Sequence, residues 1–307
     1  MINTDFYDRP LVVRIREIFG NPTPPAKVTE AQFDDFQDYL EKTASKPWHE
    51  IDQEDYWHYL LDLKYQPLQQ DLFDYLFPAF LIKWWEGMQN RTGGPEAETD
   101  FYAAIDGGNV INQMMNNERQ KQVLHWMVDA YMDSVDSWSG HLSVSYSALG
   151  PDDLHGPLRA FNALGQSVPI TRAILEGLSD LSSVGRAQWW LVFCSGIIWE
   201  HNKCPAVQPW TMQGGGGGIY ATFSDSSIYT HGYLPENLSA FCELVSYDLL
   251  VSMLEQTAQI LPTFPHGEWA MAAWEKALYE QQLVSNRLDL LKSYLSLPEL
   301  GGLDSKL

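Results

Sequence analysis

Residues 117–136 read NERQKQVLHWMVDAYMDSVD, and their spacing decides the fold class. Val123, Trp126, Met127, Ala130 and Tyr131 recur at intervals of three and four, so a helix of about 3.6 residues per turn gathers them on one side. Glu118, Lys121 and Asp129 fall on the other. An amphipathic helix of this kind has one face to bury and needs other helices to bury it against.

The same period recurs outward in both directions. LVVRIREIF (residues 11–19) is apolar at helical spacing and ends at Gly20, before the proline-rich NPTPPAKV. Thr29 with Gln32 makes a capping-box pattern, with Phe33, Phe36 and Leu40 following on one face. A further helix is expected from Asp52, carrying Tyr56, Trp57, Leu60, Leu61 and Leu63 until Pro67. DLFDYLFPAFLIKWWEGM reads as two helical pieces on either side of Pro78, because the residue before a proline resists the α region. Beyond residue 136, helices are expected over Pro169–Leu181, Val184–Glu200, Pro235–Leu261 and about His266–Ser296. The stretch QWWLVFCSGIIW is apolar on all sides, as in a core helix. One alternating segment, IYATFSDSSIYTHG, predicts a small β-hairpin around 219–232.

The fold class is therefore mostly α: a multi-helix bundle, divided into two helical subdomains, with that one hairpin. Residues 1–136 form the expected acidic helical domain. Residues 137–156 (SWSGHLSVSYSALGPDDLHG) have no helical period and read as the boundary loop, and 157–307 form the second domain, with a Gly-rich loop and the hairpin.

Charge sets the function classes apart. Against 19 Lys and Arg stand 40 Asp and Glu, a net charge of -21. Up to residue 150 there are 24 acidic and 11 basic residues, and beyond it 16 and 8. Nucleic-acid binding depends on cations that neutralise phosphates, so no nucleic-acid partner is expected. The same field repels anionic membrane surfaces, and no membrane partner is expected. A basic protein would be attracted and steered. Three cysteines, Cys194, Cys204 and Cys242, do not form a disulfide framework. The N-terminus lacks the basic and apolar regions of a secretory signal, and the longest apolar run is too short for a bilayer, so a cytoplasmic protein is expected.

The chemistry-bearing motifs are few. Gly214–Gly218 are five consecutive glycines, but no Lys-Ser/Thr follows them and no strand precedes them. A phosphate cradle needs both, so the run reads as a loop and no cofactor is expected. His201 and Cys204 have a metal-like spacing without the second pair that zinc requires. His125 and Asp129 stand one helical turn apart and read as a surface pair. Asp225, Tyr229, His231 and Glu236 surround the expected hairpin. An enzyme reading places His231 there as a general base with Asp225 and Glu236 nearby, on a hydrolase or small-molecule-binding site beside the glycine loop.

The acidic–aromatic stretches FDDFQDYLEK, DQEDYWHYLLDLKY and QDLFDYLF differ in kind. They set Asp34, Asp35, Asp38, Asp52, Glu54, Asp55, Asp62, Asp71 and Asp74 among Tyr39, Tyr56, Trp57 and Tyr75. Outward carboxylates over inward aromatics are what any soluble helical bundle shows. A single-sign face with embedded aromatics is also what a binder of a basic protein presents, since aromatics anchor and carboxylates speed encounter. Here Asp34, Asp35, Asp38, Asp52, Glu54, Asp55, Tyr56, Asp62, Asp71 and Asp74 are the candidate partner-binding residues. A third reading makes the apolar second half a scaffold surface.

IREIFGNP near the start, the lone Trp48 before an acidic helix, and YLFPAFLIKWW together carry a resemblance. Residues 12–135 are similar to small helical bacterial domains of uncharacterised function, of the kind seen among toxin-immunity proteins. The resemblance covers less than half of the chain and contains no catalytic residue. It implies a bacterial cytoplasmic interaction protein that neutralises a toxin.

Overall fold

The computed structural model describes residues 4–30, 37–63, 67–90, 101–138 (without 103 and 106–108), 155–199, 233–261 and 266–296. The described residues are all-α and contain no strand. The hairpin expected around 219–232 is therefore not borne out by any strand, and those residues lie outside the described ones. The chain divides into two compact units, Met1–Ala130 and Tyr131–Leu307. The expected boundary loop, 137–156, lies mostly outside the described residues.

The first unit begins with α1 (Thr4–Tyr7) and α2 (Pro10–Ile18). Pro10 opens α2 where its missing N–H costs nothing. Gly20 ends it with φ 74°. The Gly20 N–H donates to the Glu17 carbonyl at 2.9 Å and the Asn21 N–H to the Arg16 carbonyl at 2.7 Å, a Schellman motif that the glycine makes accessible. Thr29, expected to open a capping box with Gln32, makes a long-range bond. The Thr29 hydroxyl donates to Gln69 Oε1 at 2.9 Å, while Gln32 lies outside the described residues.

Next come α3 (Gln37–Ala44), a 3₁₀ turn at Trp48–Glu50, α4 (Gln53–Asp62) and α5 (Gln70–Asn90). The break expected at Pro78 is absent, for α5 runs through it. A proline inside a helix costs about 3 kcal/mol. Leu72, Phe73, Leu76, Phe77, Phe80, Leu81, Ile82 and Trp85 are each fully buried along this helix. At roughly 1.5–3 kcal/mol per buried apolar side chain, packing outweighs the proline. Phe73 stacks on Phe77 at 4.7 Å and Tyr59 on Phe80 at 4.7 Å. Helices α2 and α3 both pack on α5.

After α6 (Val110–Met114), α7 (Asn117–Asp136) is the helix read first from the sequence, and its five periodic apolar residues are all buried. The division between the units falls within α7, after Ala130.

The second unit contains α8 (His155–Ser167), α9 (Thr171–Leu178), α10 (Val184–Ile198), α11 (Pro235–Leu244), α12 (Tyr247–Ile260), α13 (His266–Tyr279) and α14 (Gln281–Leu295), most of them packed around one axis. That axis is α10, which touches α8, α9, α12, α13 and α14 and is buried along almost its whole length. The long helix expected over Pro235–Leu261 is two, with a bend of 65° between them. Ser246 causes the restart, since its hydroxyl accepts the Leu249 N–H at 3.1 Å and caps α12. The expected helix over 266–296 likewise breaks at Glu280. Among the described residues no single helix is long and apolar enough to cross a membrane.

Candidate protein-binding surface

Helices α3 and α4 pack on each other and carry Asp38, Glu54, Asp55 and Asp62, with Asp52 immediately before α4, of the acidic residues singled out from the sequence. The structure divides those residues into two groups. One group builds the fold. Asp52 caps α4, its Oδ1 accepting the N–H groups of Glu54 and Asp55 at 3.0 Å each. Asp55 answers by accepting the Asp52 N–H at 3.0 Å, so the two close a capping box. Asp55 is 7% exposed, accepts the Thr43 hydroxyl at 2.9 Å and pairs with Lys46. It is therefore not the outward carboxylate the sequence led us to expect. Asp74 is half-buried and paired with Arg119 at 2.7 Å.

Burial works against the Lys46 ammonium, but Asp55 and Asp52 outweigh it and hold its pKa above the usual lysine range. The Asp52 carboxyl is held below its usual range, first by the Asp55 backbone N–H and then, against some burial, by Lys46.

The other group faces solvent. Asp38, Glu54 and Asp71 are exposed. Tyr39, next to Asp38 along α3, is 42% exposed, with its ring stacked on His58 at 4.2 Å between centroids and 9° between planes. His58 is fixed in turn by donating from Nδ1 to the Glu54 carbonyl oxygen at 2.7 Å. An exposed ring backed by an imidazole and neighboured by carboxylates is a platform for a guanidinium or ammonium, which the ring face and the carboxylates attract together. The Tyr39–His58 pairing has no local sequence signal, because the two rings come from different helices. Asp34 and Asp35 lie outside the described residues, as do the side chains of Tyr56 and Asp62.

Of the residues in the enzyme reading, Glu236 lies among the described ones. Glu236 is exposed in the first turn of α11. Asp225, Tyr229 and His231, the glycines 214–218, His201 and Cys204 lie outside the described residues. Cys194 is buried, and burial pushes its thiol far above the ordinary range, so it is inert as a nucleophile. The described residues contain no group of three or more His, Cys, Asp or Glu able to hold a metal ion.

Sequence reasoning missed a cleft in the first unit. Arg14, Glu17 and Ile18 of α2 and Gln122 and His125 of α7 line a cavity of about 410 Å³. The two helices are joined beside it by the Trp126 indole, which donates to the Leu11 carbonyl at 2.7 Å. Asp129, expected as the partner of His125, pairs instead with Arg14 at 2.7 Å. For the scaffold reading, Met271, Leu278, Leu283, Leu290 and the 90% exposed Tyr279 place the second unit's exposed apolar side chains mainly on α13 and α14.

No family model matches the chain, and neither does any curated protein or solved structure.

Proposed function

We propose that this protein is an acidic helical binding protein that sequesters a basic protein partner through the α3–α4 surface. The observation that carries the reading is the Tyr39–His58 stack on a helix pair whose exposed carboxylates include Asp38 and Glu54. The net charge of -21 would accelerate encounter with a basic partner and discriminate against acidic ones. The resemblance of residues 12–135 to uncharacterised bacterial helical domains, of the kind seen among toxin-immunity proteins, favours a toxin as that partner and the bacterial cytoplasm as the place of action. Carboxylates would then occupy positions that an anionic substrate takes on a nuclease toxin.

The test is purification of the tagged protein from its native host, identification of what it retains, and affinity measurement with that purified partner. A partner of high pI is expected, with affinity falling as salt rises. Tyr39→Ala and Glu54→Lys should each weaken binding at least about tenfold. An acidic partner, or a basic one indifferent to both substitutions, would falsify the assignment to this surface.

A further inference from the structure

Of the eight large apolar side chains exposed among the described residues, five lie on α13 and α14: Met271, Leu278, Tyr279, Leu283 and Leu290. Met271 and Leu278 stand seven residues apart with the half-buried Trp274 between them, so they share one stripe of α13. Leu283 and Leu290 repeat that spacing on α14, with the exposed, uncharged Asn286 between them. Tyr279, 90% exposed, stands at the break between the two helices. Such a concentration of exposed apolar side chains on one helix pair marks an interaction surface.

Charge and symmetry select its occupant. Residues 266–296 carry four acidic and three basic residues, so nearly all of the chain's -21 lies elsewhere. A basic partner finds little to attract it here. A second copy of the chain carries the same net charge and meets least repulsion where the charges balance. The α14 row is also complementary to itself. A two-fold contact requires that where residue i meets j, j meets i. Laid antiparallel on its own copy about Asn286, α14 sets Leu283 of each copy against Leu290 of the other. Asn286 then stands near the axis. Its Oδ1 already accepts from Gln282 Nε2 at 2.9 Å, and its Nδ2 is a donor suited to the same amide of the other copy.

We infer that two copies of this chain associate through α14, with Tyr279 and the α13 stripe beside it, as an antiparallel two-fold dimer. Rows of this length make a small interface, so association in the micromolar range is expected. The face belongs to the second unit and stands independently of the partner proposed for the α3–α4 surface.

Sedimentation equilibrium of the full chain at about 20 and about 500 mM salt tests the inference. Salt should tighten the dimer at least about threefold, because it screens the repulsion between two chains of charge -21 and spares the apolar contact. A complex with a basic partner responds in the opposite sense. Leu290→Glu should weaken self-association at least about tenfold. Adding Leu283→Lys to it should recover most of that loss, since the two new charges face each other between copies. Both positions are exposed, and helix content by circular dichroism checks that each variant folds. Four results overturn the inference: a monomer at both salt concentrations up to about 100 µM protein, a dimer that weakens with salt, a dimer indifferent to Leu290→Glu, or a loss that Leu283→Lys does not reduce.

Discussion

Asp52 accepts two backbone N–H groups and stands 3.5 Å from the Lys46 ammonium, so its charged form is favoured in the folded chain. A carboxyl depressed by folding stabilises above its unfolded pKa of about 3.9 and loses that contribution as pH falls through the lower folded value. The stability advantage of the parent chain over Asp52→Asn is therefore expected at neutral pH and should shrink below about pH 4, as urea titration at several pH values would show. Asp52→Ala should cost about 1 kcal/mol at neutral pH because the cap itself is lost. The cap was legible in the sequence as a helix start at Asp52. What was not legible is that Asp55 turns back to complete it. Glu54 and Asp55 are adjacent acidic residues, and only the packing of α4 against α3 sends one outward and the other to Thr43 and Lys46.

At the scale of elements, the lengths of helices depended on events beyond their own residues. Proline is a reliable local breaker, yet α5 continues through Pro78 because a run of aromatic and aliphatic side chains is buried on both sides of it. Ser246 has the opposite effect in an apolar stretch that reads as unbroken, where its hydroxyl becomes a cap. The start of α10 depends on its surroundings in the same way. Asp136 and Asp180 both pair with Arg186, which also donates to the Gly177 carbonyl at 2.7 Å. At Gly185 a Cβ would collide with the carbonyl oxygen of Val135. That oxygen belongs to backbone and cannot swing aside, so Gly185→Ala should destabilise by about 3 kcal/mol or leave the second unit unfolded. Thermal denaturation followed by circular dichroism would decide it, and an unchanged midpoint would show that the close approach is absent. Nothing in the apolar pattern of VGRAQWWLVFCSGII marks this glycine as different from Gly196.

For the whole molecule, charge is the dominant variable. A net charge of -21 opposes compaction through self-repulsion, and added salt screens it. Raising ionic strength from about 20 to about 200 mM should raise the unfolding midpoint by a few degrees, while weakening any complex with a basic partner. A midpoint that falls with salt would mean that ion pairs such as Asp74–Arg119 and Asp136–Arg186 outweigh the repulsion.

Composition and period determined that this chain is helical, acidic and rich in buried aromatics, because those properties follow from each residue's own side chain and its spacing along a helix. The central place of α10 was foreshadowed in the same way, since a helix apolar on every side must be covered on every side. Tertiary structure alone decided which acidic residues are fold and which are surface. It also paired Tyr39 with His58 and Arg14 with Asp129 across α2 and α7. Each of those outcomes joins residues from different helices, and a partner across a helix interface leaves no trace in the local pattern of either strand of sequence.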